Sequence, residues 1–429
     1  MSSKKNKNGI KKNKTKNKTK NKTKNKQKNK TKKNKTKNIL QLPNNTLKEI
    51  DEISQLIKKN AVNKLEPLKK SILGFGLESK MDKKNGMVSY APTINKELVS
   101  IKSIMRENIP DCNNDLAFEL KEPLKIGKNT SSGVKCYPYT TKEGKDILLK
   151  NLSANKHIDI SQIVPPKQLL GNCWFNTMFV TLFVSDKGRK FFHFFRQLMI
   201  EGIQTNKSPI PEKIRDGFAL LNFAIDACLT GNKYAYLLDT NAIIRQIYKS
   251  IPEKYKKEND FITNINDAGN PIRYYESIIG YLNNNSLQLL RLPYNNNTWK
   301  TDIVANISKQ VHMPHLIILE VYDGQNSTSG ISGTATNKPL SFSIKGSKYM
   351  LDSCVIRDIK QNHFCATITC EKKEMAYDGM SFHRLVPMDW KKNINKDQFW
   401  EFEGSIDNGI PLKWNFRHGY QLLFYYRVT

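Results

Sequence analysis

No stretch of about 18 consecutive apolar residues, the length a helix needs to cross a bilayer, occurs in this 429-residue chain, so no membrane span or membrane partner is expected. The N-terminus also lacks the apolar core of a secretory signal and the Arg-rich amphipathic pattern of a transit peptide. Cysteine is sparse and odd in number, at 112, 136, 173, 228, 354, 365 and 370, with no C-x-x-C pair. That excludes a zinc ribbon, and it argues for reduced thiols in an intracellular compartment. Acidic residues are absent from the first 38 positions, which hold eighteen Lys among Asn and Thr.

Those eighteen lysines account for more than half of the net charge of +31 and leave +13 for the rest of the chain. A segment this polar cannot bury enough apolar surface to offset the entropy of ordering, so residues 1–38 are expected to be disordered. Such a tail binds polyanions through counterion release, which leaves nucleic acid or another polyanion, an acidic partner or nuclear import as its readings beside a merely solubilising tail. Residues 39–160 read as a partly helical N-terminal extension. Leu47, Ile50, Ile53 and Leu56 recur at helical spacing behind Asn45 or Thr46 as the cap.

The texture changes at Ile163-Val-Pro-Pro. A Pro- and Gly-containing turn leads to Cys173, and the run that follows places Met178, Phe179, Leu182 and Phe183 on one helical face. The pattern reads mainly helical to about 282. From about 300 to 429 it turns to strands: His315–Tyr322, Leu340–Lys345, Lys348–Ile356, His363–Cys370 and Tyr420–Val428. Helices first and an antiparallel sheet second is an α+β order.

Cys173 opens its helix. Unpaired N–H groups and the helix dipole at that position favour a thiolate, the form that attacks a carbonyl. A free Cys is more often an inert buried thiol, and helix position alone does not decide between the two. Among the seven histidines, His193 reads as core. His312 and His315 are three apart with no carboxylate or Cys at ligand spacing, so no metal or cofactor is expected there. His363 starts a strand after a polar turn, and Tyr377-Asp378-Gly379 lies fifteen residues on. A carboxylate that accepts one ring N–H fixes the tautomer of a general base. A symmetric turn at Lys372-Lys373 would put Phe382 opposite His363, so an Asp378 partner requires a bulge or a skewed loop.

Gly171-Asn172-Cys173-Trp174-Phe175-Asn176 resembles the Cys box of the papain superfamily, in particular that of the ubiquitin-specific proteases, Gly-Asn-Thr-Cys-Tyr-Met-Asn. It also resembles the Gly-Asp-Cys-Trp of calpains. Lys348-Tyr-Met-Leu, His363-Phe and Tyr377-Asp378 are similar to the His box of the ubiquitin-specific family. Gly419-Tyr-Gln-Leu-Leu-Phe-Tyr-Tyr-Arg is similar to its terminal strand. The matches span about 165–195, 315–380 and 412–427, and the family's paired C-x-x-C zinc fingers are missing. The order Cys, His, Asp sets the chain apart from the adenain-like clan.

The resemblance implies a papain-like catalytic domain over 161–429. Its helical part would carry the nucleophile Cys173, and its β part the base His363 and the orienting Asp378. The implied activity is (iso)peptide hydrolysis without a cofactor, with ubiquitin or a ubiquitin-like protein as partner. A papain-like protease cutting other polypeptides and a decayed protease fold in a basic virion protein are the alternatives. The Lys/Asn/Ile-rich texture resembles that of chains encoded by giant DNA viruses, and that resemblance implies a host cytoplasm, nucleus or virion. The oxyanion donor stays open between two residues. Gln168 is the residue type of papain at the spacing of the ubiquitin-specific family, and Asn172 sits beside the nucleophile.

Overall fold

A computed structural model of the chain describes Cys112 and residues 124–154, 158–204, 207–267, 269–282, 289–310, 313–322, 335–358 and 363–428. The Lys-rich segment 1–38 and the helix expected near 47–57 lie outside the described residues, as does the turn 359–362.

A hairpin of β1 (Lys125–Thr130) and β2 (Gly133–Pro138) comes first, followed by α1 (Lys142–Ala154). The helical part then runs through α2 (Cys173–Phe183), α3 (Asp186–Phe191), α4 (His193–Glu201), α5 (Glu212–Thr230), α6 (Thr240–Ser250) and α7 (Pro271–Tyr281). The ends are written in the sequence. Ser185, Asp239 and Asn270 each accept a first-turn backbone N–H, Pro271 occupies the first turn of α7, and Gly202 and Gly231 end α4 and α5 in the left-handed region.

The sheet begins at β3 (Leu289–Pro293), before α8 (Trp299–Ile307), and continues with β4 (Leu316–Val321), β5 (Ser341–Ile344), β6 (Ser347–Arg357), β7 (Phe364–Cys370), β8 (Lys373–Tyr377) and β9 (Leu385–Pro387). Two-residue strands β10 (Phe399–Trp400), β11 (Ile406–Asp407), β12 (Ile410–Pro411) and β13 (Trp414–Asn415) precede β14 (Gln421–Arg427). The order is β3-β4-β14-β6-β7-β8-β9, with β5 paired to β6. β3 runs parallel to β4 and the remaining pairs are antiparallel, so the sheet is mixed where the strand pattern implied an antiparallel one. The class is α+β. The parallel pair is possible because α8 supplies the crossover that a hairpin cannot.

Alternation along the strands divides the interior in two. Leu316, Ile318, Leu422, Phe424, Phe364 and Ala366 face the helices and pack on Phe175, Phe179 and Phe183 of α2. Ile317, Leu319, Leu423, Tyr425 and Cys365 face the other way, onto Trp390, Trp400, Phe402, Trp414 and Phe416. With both faces covered, β4 and β14 read as near-continuous apolar runs. The aromatic cluster from residues 400–416 had no signal in the strand pattern, because strands of two residues have no period to read.

Lys338 is enclosed in this second core. Its ammonium donates to the Phe416 carbonyl and, at 3.2 Å, to Gln421 Oε1. Burial pushes Lys338 down from its ordinary 10.5 to about 7; Cys354 opposes the shift and Arg417 adds to it. Between those two values the unfolded chain binds the extra proton, so stability rises with pH from about 7 toward 10.5. Lys338→Met is expected to stabilise the protein by about 2–4 kcal/mol below pH 7 and to lose that advantage by pH 10, in thermal melts at each pH.

The expectation of uniformly reduced thiols is corrected. Cys112 and Cys136 are joined by a disulfide, with 5.5 Å between their Cα atoms. Cys136 lies on the exposed side of β2, so the apolar surroundings of the other cysteines say nothing about this pair.

Candidate active site

The segment 163–172 cannot join a helix across Pro165-Pro166 and instead lies extended along the end of the sheet. The Tyr377 hydroxyl donates to the Pro166 carbonyl at 2.7 Å, Arg384 donates to that of Pro165, and the Gln168 N–H donates to the Gly379 carbonyl at 2.9 Å. A Cβ on Gly379 would stand 3.0 Å from the Gln168 nitrogen, so a side chain there would push the two segments apart. The stretch before Cys173 and the stretch after Asp378 are thus bound directly to each other.

Cys173 is the first residue of α2. It is partly exposed, while the other free thiols among the described residues, Cys228, Cys354, Cys365 and Cys370, are fully buried. Burial pushes Cys354 and Cys370 up to about 12, and Cys228 and Cys365 up as well, which makes all four inert.

The start of α2 is pinned by a buried amide network. Asn172 Nδ2 donates to Thr240 Oγ1 at 2.9 Å and to Asn241 Oδ1 at 2.7 Å. Asn176 Nδ2 donates to Asn172 Oδ1 at 3.2 Å, and Thr240 donates to Asn176 Oδ1 at 2.7 Å. Both hydrogens of the Asn172 amide are therefore engaged with α6, and neither faces the thiol. Gln168 differs. Its Oε1 is buried with no hydrogen-bond partner among the described residues.

His363 precedes β7 and is held by its backbone, its N–H on Asp358 Oδ1 at 3.0 Å and its carbonyl accepting from the Asp358 N–H at 2.7 Å. Its Nε2 donates to Asp378 Oδ1 at 2.6 Å, and both side chains are buried. The ring leans on Trp414 with 5.9 Å between centroids. Burial opposes a charged ring, but the Asp378 carboxylate, by charge and by hydrogen bond, and then the Cys173 thiol outweigh it and raise His363 from 6.5 to about 10. With Nε2 on Asp378, Nδ1 is the nitrogen left for Cys173.

No bulge is needed to bring His363 and Asp378 together. The β7–β8 turn is Glu371-Lys372, one residue earlier than the sequence suggested, with Cys370 paired to Lys373 and Ala366 to Tyr377. Both turn residues have positive φ, 45° and 65°, the geometry of the primed two-residue hairpin turns. Neither is Gly or Asn, and the turn is held from outside. Asp186 of α3 accepts the N–H of Glu371 at 2.7 Å and that of Lys372 at 3.0 Å, and Arg189 pairs with Glu371 at 2.6 Å. Extending this register sets Asp378 opposite Cys365, which leaves His363 its diagonal neighbour on the same face, within reach of an imidazole.

Asp378 also accepts from the Met380 N–H at 3.2 Å, and its second oxygen accepts the hydroxyl of Ser405. Sequence reasoning missed Ser405 and Trp414, since neither belongs to a motif. Among the described residues no group of three His, Cys, Asp or Glu side chains could hold a metal ion, and no helix is long and apolar enough to cross a membrane.

No family model matches the chain, and no curated protein does. Solved structures similar to it include a SAGA DUB module, Ubp8/Sgf11/Sus1/Sgf73, bound to monoubiquitin, at 9% identity over 89% of this chain and 95% of that one, with a TM-score of 0.39. The same module bound to ubiquitin aldehyde is 10% identical over 69% and 79%, with a TM-score of 0.36. An essential yeast splicing factor is 9% identical over 78% and 80%, with a TM-score of 0.34.

Proposed function

We propose that the chain is a thiol hydrolase with a papain-like site of ubiquitin-specific-protease type, acting through Cys173, His363 and Asp378. The observation that carries the reading is the buried His363–Asp378 hydrogen bond, 2.6 Å long, on a ring whose proton affinity Cys173, the most exposed free thiol, also raises. A thiol, an imidazole and a carboxylate are the set that acyl transfer by a base-activated thiolate uses.

In this reading His363 Nδ1 holds the thiol proton as an imidazolium, and Sγ attacks the carbonyl carbon as the thiolate. A tetrahedral adduct forms, and its oxyanion is met by the Cys173 backbone N–H, free at the first helical position, and by the Gln168 amide. The His363 proton passes to the departing amine as the C–N bond breaks. Water, deprotonated by His363, then hydrolyses the thioester and regenerates the thiol. Asp378 holds the imidazolium throughout.

The acyl donor is taken to be the C-terminal glycine of ubiquitin or a ubiquitin-like protein, on the strength of the Cys box, the His box and the terminal strand. A ubiquitin chain ending in a thiol-reactive electrophile is expected to form one covalent adduct, at Cys173. Peptide mass mapping locates the modification, and Cys173→Ala abolishes it. Reaction of Cys173 with iodoacetamide alone, and none with the ubiquitin probe, would leave a papain-like protease acting on other polypeptides.

A further inference from the structure

Asp378 has a second carboxylate oxygen that the triad does not use. Oδ1 serves His363 and the Met380 N–H, while Oδ2 points away from the ring, in a site with no exposure to solvent. A buried carboxylate oxygen without a donor is costly, and one free to turn would not hold a histidine. The hydroxyl of Ser405 supplies that donor. It comes from the turn that leads into the β11–β12 hairpin, 27 residues further along the chain.

The position of Ser405 is itself over-determined. Its N–H donates to the Phe402 carbonyl at 3.2 Å, and its carbonyl accepts from the Leu412 N–H at 3.0 Å. Gly404 before it has φ of 85°, and a Cβ there would stand 2.6 Å from the Phe382 ring, so the turn closes directly on the loop after Asp378. The Phe382 N–H donates to the Glu403 carbonyl at 3.0 Å, a second tie between the same two segments. Trp400, Phe402 and Trp414 pack beneath the hairpin, and Trp414 also supports the His363 ring.

We propose that Ser405 is a positioning residue of this site, a fourth member of the line Cys173, His363, Asp378, Ser405. An ionised carboxylate only accepts, so the Ser405 hydroxyl must donate to it. That bond fixes the rotation of the carboxylate and directs Oδ1 at His363 Nε2. The assignment rests on Cys173, His363 and Asp378 being the reacting set.

The test compares Ser405→Thr with Ser405→Val in the full chain. The two side chains have nearly the same shape and differ in the hydroxyl, so losses of packing or folding are common to both. The readout is the rate of Cys173 alkylation by iodoacetamide at pH 6, which needs no protein substrate and follows the thiolate–imidazolium pair. Ser405→Thr is expected to keep the wild-type rate. Ser405→Val is expected to lose about 10- to 100-fold, the loss that follows when a buried charged acceptor is left unpaired. Where a ubiquitin C-terminal amide is turned over, the same loss falls on kcat, with KM unchanged. Equal rates for the two variants, beside slow alkylation in Asp378→Ala and His363→Ala, would overturn the role of Ser405 and leave the triad standing. Wild-type alkylation in His363→Ala would overturn both.

Discussion

His363→Ala is expected to lower kcat/KM by about 10³- to 10⁴-fold, because in the proposed mechanism it removes the general base and the partner that charges the nucleophile. Cys173→Ala is expected to abolish turnover, and the double variant to be no worse than the Cys173 variant, since the two groups act as one unit. Steady-state kinetics on a ubiquitin C-terminal amide measures all three. The pH dependence carries the sign. His363 is raised to about 10 by Asp378 and Cys173 against the pull of burial, so the alkaline limb of kcat/KM is expected near 10. Asp378→Ala removes the largest opposing interaction and is expected to move that limb down toward the ordinary 6.5. Stability follows the same linkage. A folded value above the unfolded one means that the pair contributes fully below about 6.5 and that the contribution is lost as pH rises through about 10. An alkaline limb unchanged in Asp378→Ala would remove Asp378 from the site.

The second large effect separates Gln168 from Asn172. Gln168→Ala is expected to lower kcat by about 10²- to 10³-fold, as loss of one oxyanion donor does, with the melting temperature unchanged. The Gln168 Oε1 has no partner among the described residues, so its removal strips no donor of its acceptor. Asn172→Ala is expected to do the reverse. It strips partners from Thr240, Asn241 and Asn176 in a site closed to solvent, and about 3 kcal/mol of stability goes with them. Denaturant melts of both variants beside kcat at a temperature well below each midpoint distinguish the two. A catalytic loss in Asn172→Ala at unchanged stability would assign the oxyanion to Asn172 instead.

Much of this site was legible in the amino-acid sequence. Cys173 was marked by a Pro-Pro and Gly turn running into a largely apolar helix, and turn chemistry and helical period are local properties. The helices-then-strands order was legible for the same reason: a period of 3.6 or of 2 survives in any window long enough to hold it. His363 and Asp378 were each visible as polar residues at strand ends. Their alignment was not, because strand register depends on which two residues form the turn. Glu371 and Lys372 occupy positive φ only because Asp186 and Arg189, on a helix far back in the chain, hold them there.

Only the tertiary structure decided the remaining points. The engagement of the Asn172 amide, which favours Gln168 in the proposed reading, comes from Thr240 and Asn241, about seventy residues downstream, whose side chains meet it through folding alone. The parallel β3–β4 pair and the Cys112–Cys136 bridge likewise join segments whose spacing in the chain says nothing of their distance. Ser405 reaches Asp378 from a hairpin with two-residue strands that no period could reveal. The sequence by itself determined which groups could do the chemistry, since reactivity belongs to residue types and local backbone. The fold decided which of those groups meet, since hydrogen bonds between distant segments are set by packing.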